Sequence, residues 1–255
     1  MTSLDCSWPY PPADLALLNN EVHIWRAALD QPAWRIQKLA ETLTEDEYKR
    51  AERFHFEQHR QRFIAGRGIL RTILSCYLGI EPSKLQFCYG HRGKPALAAI
   101  DADKALRFNL SHSEGLAMYA IARDREIGID LEYIRCVPDA EQIAARFFSC
   151  RENAVFRALP PEQKQAAFFN CWTRKEAYIK AIGDGLAFSL DQFDVSLSPG
   201  EPARLLGIKG SSAAAAHWFL QELTPAPGYV AALAVEGHGW SLICWQWSES
   251  ASFSC

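Results

Sequence analysis

Asp130 and Glu132 stand two residues apart in the run Ile127-Gly-Ile-Asp130-Leu-Glu132, where apolar and acidic residues alternate. In an extended strand both carboxylates leave one face, while Ile129 and Leu131 turn to the other, into a core. Two carboxylates held that close repel each other and favour a divalent cation between them. An all-oxygen set suits Mg²⁺, which keeps waters and shares substrate phosphates. An exposed strand edge with two solvated acids would show the same spacing. A third carboxylate lies in Trp172-Thr-Arg-Lys175-Glu176-Ala-Tyr-Ile-Lys180, a stretch of alternating charge stopped by Gly183 and Gly185. At about 100° per residue, Trp172, Glu176 and Lys180 share one narrow helical face. Taken alone, a surface Glu–Lys pair over an anchoring Trp accounts for that face.

Ser111-His112, preceded by Asn109, is expected in a loop before a strand from Leu116 to Ala122. A hydroxyl, an imidazole and loop N–H groups can hold phosphate oxygens; a loop His with no ligand is the plainer alternative. Neighbouring Ser and His seldom have triad geometry, and no nucleophile elbow is present. Gly90-His91-Arg92-Gly93-Lys94-Pro95 reads as a turn that could bring two cations to a phosphate, Gly93 allowing close approach. Lys49, Arg50, Arg53, Arg60, Arg62, Arg67 and Arg71 are interspersed with acids. They form either a solvated face or a set partly aimed at phosphates. Together these residues describe a site for a metal-bound polyphosphate, and the chemistry is phosphoryl transfer or pyrophosphate cleavage.

The elements that position them can be read in outline. A first strand spans Val22 to Leu29. Thr44 and Glu47 make a capping box for a helix running to about Phe54, and a second helix covers Glu57 to Leu78 and ends at Gly79. Lys84 to Tyr89 reads as a strand. Helices follow over Ala140–Phe148, Arg151–Leu159 and Gln163–Ile182. Phe188, Phe193, Val195 and Leu197 suggest strands, a polar Pro/Gly stretch runs to Gly210, and the end is β-rich over 218–223, 229–235 and 240–247. A weak internal repeat pairs Leu78-Gly79 with Asp184-Gly185, and Gly115 with Gly228, each before an Ala-rich strand. It points to an α+β fold of two similar α/β lobes, 1–125 and 126–255, with ligands expected at their junction.

The 255 residues are 49% hydrophobic and 22% charged, as in ordinary globular proteins. A net charge of −3 and a pI near 6.2 argue against a nucleic-acid binder. No apolar run reaches the ~20 residues of a membrane span, and residues 1–12 have neither the basic nor the apolar region of a secretory signal. The eight cysteines are scattered without a Cys-x-x-Cys pair. They are expected to be reduced thiols in a cytoplasmic protein, most of them packed as small apolar groups.

The motifs resemble those of the Sfp-type 4′-phosphopantetheinyl transferases. The match takes in Gly128-Ile-Asp130-Leu-Glu132, Trp172 to Lys180, Arg92-Gly-Lys-Pro95, Phe108-Asn-Leu-Ser111-His112 and Arg146-Phe-Phe-Ser149-x-x-Glu152. Upstream, Leu43-Thr-x-x-Glu47-x-x-Arg50-Ala-x-x-Phe54 and Arg67-x-x-Leu70-Arg71 also fit, in the family's order. The resemblance implies two lobes with pseudo-twofold symmetry, the first contacting the nucleotide and the second catalytic. It implies transfer of the phosphopantetheine arm of coenzyme A to a serine of an acyl or peptidyl carrier protein, with release of adenosine 3′,5′-bisphosphate. By motif position, Asp130, Glu132 and Glu176 are the Mg²⁺ ligands, with Mn²⁺ as an alternative metal. Glu176 is the base, directly or through water, with Glu152 as the other candidate, and Lys180 is the pyrophosphate partner. Arg50, Arg92, Lys94, Asn109, Ser111 and His112 hold the nucleotide and its phosphates, and Gly93 and Pro95 shape the turn. Phe147 and Phe148 lie where the family docks its carrier. Some relatives carry a basic residue where Glu47 stands. A monomer in the cytoplasm, without nucleic-acid or membrane partners, is implied. The alternatives are a non-catalytic module that binds CoA or a carrier protein, and a Mg²⁺-dependent nucleotide pyrophosphohydrolase.

Overall fold

The computed structural model describes residues 7–90, 92–98, 106–183 and 188–248. His91, Asp184, Gly185, Cys6 and Cys255 lie outside the described residues. In chain order the elements are β1 (Glu21–Ala28), α1 (Ala33–Ala40), α2 (Glu45–Ala51), α3 (Glu57–Leu78), β2 (Phe87–Tyr89), β3 (Pro95–Leu97), β4 (Leu106–Ser113), β5 (Leu116–Arg123) and β6 (Ile127–Tyr133). Then come α4 (Ala140–Phe147), α5 (Cys150–Ala158), α6 (Pro161–Ile182), β7 (Phe193–Val195), β8 (Leu205–Ile208), α7 (Ser212–Ala215), β9 (Trp218–Leu223), β10 (Tyr229–Glu236) and β11 (Ser241–Gln246).

Two long helices sandwich two sheets. One sheet has the order β11-β1-β5-β4 and the other β6-β10-β9. Strand alternation assigns each face. On β5, Tyr119 and Ile121 join the core under α3, with Ile69, Leu70 and Ile73. Met118, Ala120 and Ala122 face the other way, against Ile129 and Leu131 of β6 and Leu233 and Val235 of β10. Ala232 and Ala234 of β10 pack under α6, with Ala177, Tyr178 and Ala181. With apolar partners on both sides, central strands are rich in Ala, Ile and Val, as doubly covered strands must be. The helices α3 and α6 are both 22 residues long and both end on a left-handed glycine, Gly79 (φ 63°) and Gly183 (φ 75°). Strand β11 runs back from the second half and pairs in parallel with β1, Val22 opposite Leu242. Sequence patterning carries no trace of this long-range pairing.

Several local expectations are corrected. Ser111 and His112 are not in a loop: they belong to β4, paired with Met118 and Ala117 of β5 across a tight turn at Glu114 (φ 48°) and Gly115. The residues facing the edge of β6, Asn109, Ser111 and Ser113, are polar and alternate with Leu106, Phe108 and Leu110, which face the core under α3. Between Lys84 and Tyr89 only Phe87–Tyr89 is strand, after a 3₁₀ turn at Pro82–Lys84. Phe188 and Leu197 fall outside β7, whose partner β8 lies in the stretch taken as polar connection. Helix α1 begins right after Pro32, whose fixed φ suits a helix entrance as well as a strand end. Among the described cysteines, Cys171 and Cys244 are buried, whereas Cys88, Cys136 and Cys150 are exposed and pack no core.

One contact brings β6 against α6. A Cβ placed on Gly128 would lie 2.1 Å from the Ala177 carbonyl oxygen and 2.3 Å from the Ala181 nitrogen. Backbone meets backbone there, and neither side can yield by rotating a side chain. Gly128→Ala should therefore cost at least the ~1–3 kcal/mol typical of overpacking. Chemical denaturation measures this, and an unchanged midpoint would show that the two elements are not in such contact.

Candidate active site

The close approach at Gly128 sets the outer face of β6 beneath the last two turns of α6. Asp130 and Glu132 leave that face, while Ile129 and Leu131 are buried on the opposite one. Asp130 is only 4% exposed. Its Oδ1 accepts from Lys180 Nζ at 2.6 Å and from Ser111 Oγ at 3.0 Å. Its Oδ2 is buried and has no hydrogen-bond partner among the described residues. Lys180 Nζ also donates to Ser111 Oγ at 3.1 Å. Burial and then the Asp130 charge push the Glu176 carboxyl above its ordinary range, with Lys180 pulling partly back. Burial and the same Asp130 charge raise Glu132, opposed by its hydrogen bond to Ser113. Trp172 fixes this stretch by stacking on Phe168 and meeting Phe147 edge-on.

A polar seam joins β4 to β6. Asn109 Oδ1 accepts the Ile129 N–H at 2.9 Å, Ser111 holds Asp130, and Ser113 Oγ donates to Glu132 Oε2 at 3.1 Å. These are every second residue of β4, so one strand face supplies all three contacts. Asn109 and Ser111 are buried in the seam. His112 stands exposed on the alternate face, and the protein around it, then Lys180 and Arg62, hold its pKa below the usual value.

Above the carboxylates opens a cleft of about 760 Å³, within the usual range for a ligand site. Glu132, Glu176, Lys180 and His112 line it, as do Arg50, Arg92, Gly93, Lys94 and Pro95. Gly93 (φ 82°) closes the β2–β3 turn, its N–H donating to the Gly90 carbonyl. Lys94 reaches inward. Its Nζ donates to the carbonyls of Ala181 (2.8 Å) and Ile127 (3.3 Å) and pairs with Glu126 (3.1 Å), and burial lowers its pKa. It ties the turn to β6 and α6. Arg50 is exposed and lies over the Phe63 ring.

The cleft also uses residues outside the expected site. His59, Arg62, Phe63, Gly66 and Arg67 of α3 line it, and their spacing, i, i+3, i+4, i+7 and i+8, is one helical stripe. Arg62 makes a two-pronged pair with Asp30 at 2.7 and 2.9 Å. Arg67 touches Glu47 and the Tyr89 hydroxyl. Arg71, from the same basic run, is buried on Glu47 and two carbonyls and serves the fold.

Other expectations fall away from the cleft. Glu152 is 1% exposed; it accepts from the Ser149 and Val195 N–H groups and pairs with Lys175 at 2.8 Å. Phe148 is buried, stacked on Phe168, and offers no surface, while Phe147 is half-buried. Among the described residues no group of three or more His, Cys, Asp or Glu side chains is placed to hold a metal ion. The orphaned Asp130 Oδ2 and the raised carboxyls of Glu132 and Glu176 nonetheless fit a shared cation, because Mg²⁺ takes few protein ligands and completes its shell with water and phosphate.

A cation-lined cleft over acidic residues and a lysine defines a protein that handles a phosphate-bearing ligand. Residues 126–234 match the 4′-phosphopantetheinyl transferase superfamily, and residues 18–123 match the family's N-terminal region. The chain is 50% identical to the 4′-phosphopantetheinyl transferase HetI of Nostoc sp. strain PCC 7120, covering 96% of this chain and 100% of that protein. It is 30% identical to a 4′-phosphopantetheinyl transferase of Bacillus subtilis over 68% of this chain and 76% of that one. It is 29% identical to Sfp of Bacillus subtilis strain 168 over 63% and 69%. The chain belongs to the 4′-phosphopantetheinyl transferase superfamily.

Raised carboxyls carry a stability consequence. Glu176 holds its proton more tightly folded than unfolded. Stability is therefore lost as pH climbs from the unfolded Glu value, about 4.3, through the raised folded one, and the whole loss is present above it. Glu176→Gln removes that loss. In chelator it should melt higher than wild type at pH 7, with the difference vanishing below about pH 4. Thermal melts at the two pH values test this, and a lower melting point at pH 7 would contradict it.

Proposed function

We propose that this transferase moves the 4′-phosphopantetheine arm of coenzyme A to the serine of an acyl or peptidyl carrier protein. The reading is carried by one juxtaposition: a buried carboxylate with an unpaired oxygen, two carboxylates with raised pKa, and Lys180 at 2.6 Å from Asp130, all beside a cation-lined cleft.

Arg50, Arg92 and His112, with the turn built by Gly93, Lys94 and Pro95, hold the nucleotide and its phosphates. Most of these cations come from residues 1–125, whereas 126–255 supply the carboxylates and Lys180. Asp130, Glu132 and Glu176 would hold Mg²⁺, or Mn²⁺ in its place, and the bound metal would neutralise pyrophosphate charge. Glu176 takes the proton of the carrier serine; a carboxyl raised by burial is a stronger base than a solvated one. The serine Oγ forms a bond to the phosphorus next to the pantetheine arm. The bond from that phosphorus to the bridging oxygen breaks, and adenosine 3′,5′-bisphosphate leaves with the electron pair. Lys180 stabilises the charge that develops there. Glu152 is fully engaged in the core, so the base is Glu176. Asn109 and Ser111 act from the seam, holding the strand and the Lys180–Asp130 pair. One chain supplies the described lining of the cleft, which supports a monomer.

Incubation with CoA, Mg²⁺ and an apo carrier protein should add the mass of one phosphopantetheine arm to the carrier. CoA breakdown without carrier would point to a hydrolase, and neither product to a binding module. Asp130→Ala or Glu176→Ala should abolish transfer with an unchanged circular-dichroism spectrum, and near wild-type transfer by either would refute the site. Lys180→Ala should lower kcat by about 10²–10³-fold, as loss of a charge-stabilising donor does elsewhere.

A further inference from the structure

Ser113 differs from the other two side chains of the β4–β6 seam. Asn109 accepts a backbone N–H, and Ser111 is shared between Asp130 and Lys180. Among the acids, Ser113 serves Glu132 alone. Its Oγ accepts the Tyr133 N–H at 3.1 Å and donates to Glu132 Oε2 at 3.1 Å. A backbone N–H can only donate, so the hydroxyl must accept there and its single proton goes to the carboxylate. The direction of the second bond is thereby fixed. Glu132 Oε1 accepts no hydrogen bond from any described residue, and Glu132 lines the cleft.

Glu132 needs such a restraint. Its carboxylate is repelled by Asp130 two residues earlier on the same strand face. A glutamate has three rotatable bonds and loses up to ~2 kcal/mol of rotamer freedom when fixed. Left alone, it would turn outward, away from the like charge. We propose that Ser113 is a positioning residue of the cation site: it holds Glu132 by Oε2 and leaves Oε1 for a divalent cation. The inference rests on the reading of Asp130, Glu132 and Glu176 as cation ligands. Asp130 is held in place by Lys180 and Ser111, so Ser113 supplies the missing restraint on the second acid.

The test uses Mn²⁺ as a paramagnetic probe, titrated into the full chain without CoA or carrier and followed by electron paramagnetic resonance. Wild type should bind it. Ser113→Ala should bind about 10–100-fold more weakly, the usual effect of removing a group that orients a metal ligand. Ser113→Thr keeps the hydroxyl and should bind close to wild type. The melting point of Ser113→Ala in chelator should match wild type, because water can take over the exposed Tyr133 N–H. Equal Mn²⁺ affinity in Ser113→Ala would overturn the positioning role and leave the cation site standing. A melting point in chelator that falls along with affinity would assign Ser113 to the fold instead. If wild type itself binds no Mn²⁺, the cation reading fails first and this inference with it.

Discussion

The active face depends on how closely β6 can approach α6. Gly128 removes the one side chain that would stand between them, and the strand then lies against the Ala177 carbonyl and the Ala181 nitrogen. At that separation the residue two places along the strand, Asp130, comes within 2.6 Å of Lys180 on the helix. A conventional helix–sheet spacing, with side chains interleaved, would hold the two several ångströms further apart. The pair would then need a longer side chain or an intervening water. Gly128, Asp130 and Lys180 thus form one geometric unit, although 52 positions separate the first from the last in the chain.

The seam between β4 and β6 solves a different problem. Each sheet ends on a strand whose edge would otherwise be open, and open edges invite mispairing. Here the two edges face each other and are joined by side chains. The arrangement makes one face of β4 polar and places Ser111 and Ser113 beside the two carboxylates of β6. The same contacts that close the sheet edges also orient the acids. The passage of β11 into the first sheet beside β1 adds a backbone link between the halves that flank the cleft.

Much of this was legible in sequence wherever one element has two chemically different faces. The run from Ile127 to Glu132 could be read because one face enters the core and the other does not. Helices α3 and α6 could be read because glycine ends both. Legibility failed where polarity has a structural origin. Ser111 and His112 looked like loop because the apolar alternation Leu106-Phe108-Leu110 gives way at His112, leaving Ser111-His112-Ser113 a polar run. Arg174 and Lys175 belong to a stretch of alternating charge, yet each is 1% exposed. Arg174 is spent on Ser196 and Glu222, and Lys175 on Glu152 and two carbonyls. The cleft stripe of α3 was present as a helical period, but it mixes cations, rings and a glycine and so raises no hydrophobic signal. β11 could not be placed, because the pairing of strands more than 200 residues apart leaves no local pattern.

Glu152 and Glu176 show how two acids can differ when burial alone does not separate them. Burial pushes both pKa values up. Around Glu152 the opposing groups are a lysine at 2.8 Å and two backbone N–H donors, and its oxygens are fully used. Around Glu176 the next contribution after burial is the charge of Asp130, which acts in the same direction as burial. A buried charge with all partners present holds a fold together and resists exchange of any of them. A carboxylate placed among its like, near an acid with an unpaired oxygen, is held there by the rest of the fold against its own preference. Such a group gains most from what enters the cleft, a cation or a proton from an incoming hydroxyl. Incomplete satisfaction, rather than burial or charge, is what sets Asp130, Glu132 and Glu176 apart from the other buried acids of this chain.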